Sequence, residues 1–338
     1  MRFGATVVFF NPTEGDKDNL AGLVKLTEDV VVVDNSPDPN EQWHAELEAQ
    51  NITVIANRNI GGLARGLNLG IRALFAHGCD VACAFDQDSM VPGNYFDAMR
   101  VAAIELGRPD FIIGPIIHVI QLDKSLPAIN FSRWKWSLKD VPEELAALTP
   151  SSLIITSGTA ISRNAFDTVG EYREEFFIED LDIDLAFRAA KAGVPCFIHG
   201  GVLMHHSIAS ATRHAFGLMS YNGIPDRCYY SARNIIAMTR SHAWRLPVIA
   251  TVNVATAWQV LTIVLFERDK VRKLAATFAG ILDGLLGKWG TFAERWPRLG
   301  HDQHVPSHTD NTFPSQTPHA HMPAYPHPKA GRRAGEFP

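Results

Sequence analysis

The sequence contains little cysteine, no excess of basic charge and no N-terminal secretion signal. Its four cysteines, at positions 79, 83, 196 and 228, form no Cys-x-x-Cys pair, which predicts reduced thiols in a cytoplasmic protein. With 31 basic and 36 acidic residues the net charge is −5, which argues against an extended nucleic-acid footprint. The first apolar run, residues 7–10, is too short for a signal peptide and lacks a cleavage site.

The first 90 residues alternate between short apolar runs and helical spacing. Predicted strands at 5–10, 30–33, 52–55 and 81–85 are separated by predicted helices at 20–26, 43–49 and 63–75. This alternation with short loops is typical of a parallel, doubly wound sheet with right-handed crossovers. We therefore expect an α/β fold with a mostly parallel central sheet flanked by helices.

The second half is less regular. A strand at 111–120 is interrupted by Gly114-Pro115, and a clean strand is predicted at 153–156. A helix is predicted at 185–192, followed by two strands at 194–198 and 202–204. We place the end of this first domain at residue 222.

Beyond residue 222 the pattern predicts a C-terminal helical extension, residues 223–296. Residues 246–266 carry no charge, but a proline, polar side chains and modest hydrophobicity favour a buried or interfacial helix over a membrane span. With the apolar helix at 274–286, it forms either a pair lying on the inner face of the cytoplasmic membrane or an ordinary amphipathic pair packed on the first domain. Residues 297–338 are rich in Pro, His, Ser and Thr and predict a disordered tail.

Acidic and imidazole side chains follow several of these strands. Asp34 ends the second strand, Asp86 and Asp88 end the fourth, and His206 follows the strand at 202–204. Such oxygen and nitrogen ligands suit manganese or magnesium. A lone Asp-x-Asp is more often only an acidic turn, so the interpretation as a metal site depends on all of these residues occurring together.

A second acidic run, residues 179–184, stands at the start of a helix, where the dipole favours anions. Its four carboxylates, Glu179, Asp180, Asp182 and Asp184, exceed what helix capping requires. Crowding of like charges raises the pKa of at least one carboxylate, which is what a general base near neutrality needs.

Over about residues 5–290 the chain resembles the inverting glycosyltransferases of family 2, which have the GT-A nucleotide-diphospho-sugar transferase fold, and within them the rhamnosyltransferase-like branch. The resemblance is carried by an ordered set of motifs: Asn11-Pro12, Asp34-Asn35-Ser36, Asn59-x-Gly61-Gly62, Leu67-Asn68-x-Gly70, Asp86-Gln87-Asp88-Ser89, Ser157-Gly158-Thr159, the run from Phe177 to Asp184 with Arg188, His206-Ser207, Tyr229-Tyr230-x-x-Arg233-Asn234, and Gly280 to Gly290.

The resemblance implies roles for individual positions. Donor-binding residues would be Asn11, Asp34, Asn59, Gly61, Gly62, Asp86 and Asp88, and the acceptor side would include Ser157, Gly158, Thr159 and Arg233. Asp88 and His206 would hold Mn²⁺ or Mg²⁺ at the donor diphosphate. Asp182 would be the catalytic base, with Asp180 and Asp184 beside it.

Two assignments stay open between neighbours. Asp180 could be the base in a shifted register, although the spacing to Arg188 favours Asp182. His205 could replace His206, although the following Ser207-Ile208 favours His206.

The implied activity is metal-dependent transfer of a hexosyl or deoxyhexosyl unit such as rhamnosyl. It would pass from a nucleotide-diphosphate sugar to a polysaccharide or lipid-linked glycan, with inversion. Two alternatives are a phosphohydrolase with Asp86 as nucleophile, where Met90 departs from the usual Thr or Val, and a non-catalytic glycan-binding relic of the fold.

Overall fold

The computed structural model describes residues 1–132, 135–143, 147–206, 212–213, 219–220, 223–242 and 246–300. The strands are β1 (Phe3–Phe9), β2 (Val30–Asp34), β3 (Thr53–Ala56), β4 (Val81–Asp86), β5 (Ile112–Val119), β6 (Lys124–Ser125), β7 (Ala128–Phe131), β8 (Trp136–Lys139), β9 (Leu148–Pro150), β10 (Thr159–Ser162), β11 (Cys196–His206), β12 (Thr212–Arg213) and β13 (Met219–Ser220). The helices are α1 (Glu14–Val24), α2 (Glu41–Glu48), α3 (Gly62–Ala76), α4 (Tyr95–Leu106), α5 (Arg163–Val169), α6 (Leu181–Ala192), α7 (Pro225–Ser241), α8 (Leu246–Phe266), α9 (Lys270–Leu286) and α10 (Phe292–Arg295).

Nine of the described strands form one sheet. Its order is β3-β2-β1-β4-β10-β5-β11-β9, with β6 paired to β5. Strands β3, β2, β1 and β4 are mutually parallel, and β5 and β11 are also parallel, whereas β10 runs antiparallel between β4 and β5. The predicted fold class, a mostly parallel central sheet flanked by helices with a C-terminal helical extension, is confirmed.

Buried apolar side chains cover both faces of this sheet. Val31 and Val33 belong to a cluster on the face covered by α3, whereas Val32 packs on the opposite face with Trp43 of α2. Helix α3 approaches β1 closely because Gly70 has no side chain: a Cβ there would lie 1.9 Å from the Thr6 hydroxyl. The all-valine run at 30–33 is therefore a strand buried on both faces, as a continuous β-branched pattern predicts.

Three sequence predictions about strands are corrected by the structure. The strand expected at 153–156 is absent from this described segment, which instead packs Ile154 over Gly114 of β5, and the next strand, β10, begins at Thr159. Strand β5 is continuous through Pro115 because the partner strand is irregular between His199 and Leu203, opposite the proline. The two strands expected at 194–204 are one strand, β11, containing that irregularity.

Helix α4 was not predicted from the sequence. Its apolar side chains Tyr95, Phe96 and Met99 are buried against β4, and the rings of Tyr95 and Phe96 pack edge to face at 5.0 Å. Among the described helices, none combines the length and hydrophobicity needed to cross a bilayer. The domain boundary at 222 stays a prediction, and the predicted tail lies outside the described residues from 301 onward.

Candidate active site

The connections leaving β1 create the site. The chain moves from β1 to β2 on one side, and β4 then pairs with the other side of β1. Ligands bind at such a switch point, beyond the carboxyl ends of the strands. Asn11 follows β1, Asp34 ends β2 and Asp86 ends β4, so the topology brings these sequence-predicted residues to one edge.

Asp86 is the centre of an electrostatic cluster at this edge. Burial raises its pKa, the neighbouring charge of Asp88 raises it further, and His206 and a hydrogen bond with Ser157 oppose the rise. Asp86 in turn contributes to the raised pKa of Asp182. Asp88 itself is exposed at the edge. Asp86 is therefore within electrostatic reach of Asp88, His206 and Asp182, three other predicted residues, two of which come from distant segments of the chain.

The two histidines at the end of β11 differ in their surroundings. His205 pairs in register with His118, and the two rings lie edge to face at 5.2 Å. Successive strand residues point to opposite faces, so His206 points the other way, where its charge acts on Asp86. Of the two, His206 is the one placed beside the acidic cluster.

The donor set at this edge fits a hard divalent cation. Within the described segments no three His, Cys, Asp or Glu side chains are close enough to form a complete metal site. Magnesium is commonly held by one or two protein ligands together with substrate phosphates. A pair such as Asp88 and His206 therefore suffices only when the remaining ligands come from a bound diphosphate and water.

The turn at 157–159 is tied to the end of β4. The Ser157 and Ser89 hydroxyls are 2.7 Å apart, the Gly158 amide donates to the Ala84 carbonyl, and Tyr95 Oη donates to the Gly158 carbonyl at 2.7 Å. Gly158 and Thr159 are buried. Of the three residues of this turn that are expected on the acceptor side, Ser157 is the one that hydrogen-bonds with the Asp86 carboxyl.

The carboxylates of the second acidic run occupy different environments. Glu179 pairs with Arg227 at the start of α7. Asp180 Oδ2 is buried without a hydrogen-bond partner among the described residues, and burial followed by the charges of Glu179 and Asp182 raises its pKa well above the ordinary value. Asp182 is partly exposed, and burial raises its pKa to about 6 against the opposing hydrogen bonds from backbone amides.

Asp184 is separated from this cluster by its own partners. It is 1% exposed, accepts a hydrogen bond from Arg188 Nε at 2.7 Å and is bonded to His242 Nε2 at 2.9 Å. Burial alone would raise its pKa, but His242 and Arg188 outweigh burial and lower it. Its environment is that of a structural ion pair and does not suit the catalytic role implied by the resemblance.

The loop preceding Asp182 is held against the predicted donor loop. Gly61 and Gly62 have φ of +64° and +63°, and a Cβ on Gly62 would lie 2.4 Å from the Phe177 carbonyl oxygen. That carbonyl accepts from the Ala64 amide at 3.1 Å. A cleft of about 380 Å³ lies here, lined by Asn59, Gly61 and Phe177 among others. The Gly61-Gly62 turn therefore connects the predicted donor-binding loop with the loop that precedes Asp182.

A larger cavity lies elsewhere. Its volume is about 540 Å³, and it opens beside Arg2, Asp29 and Asp80, at the amino ends of the strands. This is the edge of the sheet opposite the acidic cluster, so we do not assign the cavity to the site.

Arg233, expected on the acceptor side, is fully buried. Its guanidinium donates to the carbonyls of Glu175 and Gly290, both at 2.7 Å, and the neighbouring Asn234 side chain donates to the carbonyls of Phe176 and Glu179 at 2.9 and 2.8 Å. Arg233 therefore positions the loop before Asp182 from behind and does not face the edge.

Asp34 is also occupied internally. It is 1% exposed, one carboxylate oxygen accepts from the Ser36 amide at 2.8 Å, and the other is 2.8 Å from His44 Nε2. Any contact of Asp34 with a nucleotide therefore involves its neighbours Ser36 and His44. Ser36 in turn accepts a hydrogen bond from the Asn11 amide at 2.8 Å.

Two further residues at the site were not predicted from the sequence. Tyr172 is buried, and its pKa is raised first by burial and then by the charge of Asp182, so its phenol lies within electrostatic reach of that carboxylate. Arg227 is exposed, pairs with Glu179 and lowers the pKa of both Asp86 and Asp180. Arg227 stands near a helix start, where a basic residue is unremarkable, so only the fold reveals its position.

No family model matches the chain. A curated relative, the dTDP-rhamnosyl transferase RfbF of Shigella flexneri, is 27% identical over 297 residues, which cover 85% of this chain and 96% of that protein. Crystal structures of S. aureus TarS 1-349, one of them in complex with UDP-GlcNAc, superpose with TM-scores of 0.51 and 0.52 at 12% identity. Each match covers 84% of this chain and 81% of TarS 1-349. Over most of its length the chain is therefore similar in sequence to a dTDP-rhamnosyl transferase and in fold to TarS.

Proposed function

We propose that this protein is an inverting, metal-dependent glycosyltransferase that uses a nucleotide-diphosphate sugar. The observation that supports the proposal is that Asp86, which ends β4 at the switch point of the sheet, interacts electrostatically with Asp88, His206 and Asp182. Similarity to RfbF, named a dTDP-rhamnosyl transferase, supports a deoxyhexosyl donor such as dTDP-rhamnose. A polysaccharide or lipid-linked glycan is the acceptor class we propose.

Asp182 is the base in this proposal. With a pKa raised to about 6, its carboxylate is ionised at neutral pH and holds a proton more strongly than an ordinary aspartate. It accepts the proton of the acceptor hydroxyl as that oxygen bonds to the anomeric carbon and the bond to the diphosphate breaks on the opposite face. Burial, and then the charges of Glu179 and Asp182, raise the pKa of Asp180 well above its ordinary value, and Asp180 Oδ2 is buried, so we favour Asp182 over Asp180 as the base.

The departing diphosphate carries the negative charge that develops during transfer. Asp88 and His206 would hold a divalent cation there, and this ion would stabilise that charge when bound. Arg227 lies near Asp86 and is exposed, so we infer that its guanidinium exchanges Glu179 for a diphosphate oxygen. Asn59 and the Gly61-Gly62 backbone, beside the cleft of about 380 Å³, would contact the nucleotide.

The test combines a donor panel with matched variants. The intact protein, with manganese, is screened by thermal shift against nucleotide sugars that include dTDP-rhamnose, and the preferred donor is then tested for transfer by mass spectrometry. We expect one donor class to raise Tm, since it binds the folded state selectively. Asp88→Ala should remove the manganese-dependent part of that rise, whereas Asp97→Asn, which changes an exposed carboxylate on α4, should leave it intact.

Two results would contradict the proposal. One is the absence of stabilisation and turnover with every nucleotide sugar. The other is a product with retained anomeric configuration by NMR, which would exclude the single displacement assigned to Asp182.

A further inference from the structure

Helix α8 presents an apolar stripe that no described part of the chain covers. Val254, Trp258, Leu261 and Leu265 recur at helical spacing and are each more than two-fifths exposed. The other side of the same helix is packed: Thr262 and Ile263 are buried, and Glu267 just beyond the helix forms a buried pair with Lys273 at 2.7 Å. One side of α8 is therefore packed against the protein, and the other side is exposed.

Helix α9 repeats this arrangement. Val271, Phe278, Leu282 and Leu285 recur along it and are exposed, Val271 by 81% and Phe278 by 68%. Ala276, Ala279 and Gly280 on its other side are buried, and a Cβ on Gly280 would lie 2.3 Å from the Tyr229 carbonyl in α7. Exposed apolar side chains on two successive helices mark an interaction surface.

The charges around the two stripes indicate what this surface meets. Between residues 246 and 290 the exposed or partly exposed ionic side chains are Arg268, Lys270, Arg272 and Lys288 against Asp269. Glu267 is neutralised by Lys273, and Asp283 is buried against Arg295. This region is therefore cationic in a chain whose net charge is −5.

We propose that the α8–α9 face docks on an anionic lipid bilayer, with the two apolar stripes inserted among the headgroups and the cations contacting lipid phosphates. Apolar stripes flanked by Lys and Arg, with an exposed tryptophan such as Trp258 among them, are what an interfacial helix requires. A second copy of the chain fits less well, because a two-fold pairing would bring the same cationic surface against itself. The inference is independent of the proposed function.

Flotation of the full-length protein with vesicles tests the proposal. We expect it to float with phosphatidylcholine vesicles that contain phosphatidylglycerol, less with phosphatidylcholine alone, and less at high salt. Phe278→Asp on α9 and Leu261→Asp on α8 should each lower vesicle binding about tenfold. Ile104→Asp is the matched control, because Ile104 is 62% exposed on α4, away from the two helices.

Unchanged thermal unfolding of each variant would show that lost binding does not reflect lost folding, since the substituted side chains are exposed. The proposal is overturned if wild type floats with neither vesicle, or if Ile104→Asp lowers binding as much as Phe278→Asp. It is also overturned if sedimentation shows a dimer that Phe278→Asp dissociates while vesicle binding is absent.

Discussion

Asp182 and Asp184 stand two residues apart in the first turn of α6, yet their surroundings are opposite. Asp182 is partly exposed and faces the like charges of Glu179 and Asp86, and its pKa is raised to about 6 by burial and these charges. Asp184 is buried between Arg188 and His242, and its pKa is lowered. Among the described residues Asp182 forms no ion pair, whereas Asp184 pairs with Arg188, His242 and Arg173.

This difference distinguishes a carboxylate that can take part in catalysis from one that stabilises the fold. A carboxylate whose charge is already balanced stabilises the fold, whereas one left unbalanced in a cleft is available to a proton, a metal or a substrate. The same contrast holds for the two arginines of α7: Arg233 is buried on backbone carbonyls, and Arg227 is exposed beside the acidic cluster. Three substitutions and the pH dependence test this contrast between balanced and unbalanced side chains.

The largest expected effect is the fall in transfer rate caused by the substitution Asp182→Asn. The amide keeps the shape and the acceptor oxygen but takes up no proton, so we expect the transfer rate to fall about 10³-fold. Thermal stability should be unchanged or raised, because an uncompensated charge is removed. Rate measurement and calorimetry on the same preparation separate the two. A variant that unfolds, or one that transfers normally, would remove Asp182 from the mechanism.

Asp184→Ala should give the opposite pattern. Removing one partner leaves Arg188 and His242 without their buried counter-charge, which costs about 3–5 kcal/mol of unfolding free energy. Urea denaturation measures this loss, and the folded fraction should retain transfer. Asp110→Asn, at an exposed pair with Arg108, is the control and should change stability little. Full stability with lost transfer would assign Asp184 to the chemistry instead.

Gly62→Ala tests the link between the donor loop and the loop carrying the base. The added Cβ meets the Phe177 carbonyl at 2.4 Å in a backbone conformation with φ of +63°, so we expect a loss of about 1–3 kcal/mol and slower transfer. Gly22→Ala, in α1 with no atom within 4 Å of the new Cβ, should instead be stabilising by about 0.5–1 kcal/mol. Equal effects of the two would mean that Gly62 has no special contact.

The fold followed from the sequence where local pattern and burial coincide. The valines of β2 and the spacing of α3 predicted their elements, and right-handed crossovers then placed Asp34 and Asp86 at one edge. Helix α4 was missed because its buried face depends on β4 beneath it. The strand expected at 153–156 was wrong because apolar residues that cross over a glycine look, in sequence, like a strand.

The site was predictable only as far as residue type indicates chemistry. Asp86, Asp88 and His206 could be expected at one edge because they follow strands whose ends lie there, whereas the role of Asp182, at the start of α6, was implied by the family resemblance and stays a prediction. The bond between Asp184 and His242 was not predictable, because His242 lies 58 residues away and no local pattern connects the two. Arg233 was expected on the acceptor side because of the family resemblance, whereas its guanidinium donates to backbone carbonyls, which have no sequence signature.

The smallest effects are those of pH, and they should have opposite signs for the two carboxylates. Transfer needs Asp182 ionised, so its rate should rise about tenfold per pH unit up to about pH 6 and then level off. Because the folded pKa of Asp182 is above the ordinary value of 3.8, its contribution to stability is largest below that value and is lost as pH rises through about 6. Asp184, with a lowered pKa, contributes stability above 3.8 that is lost on further acidification. In Asp182→Asn the decline of stability between pH 4 and 6 should therefore shrink, and an unchanged decline would show that another group titrates there.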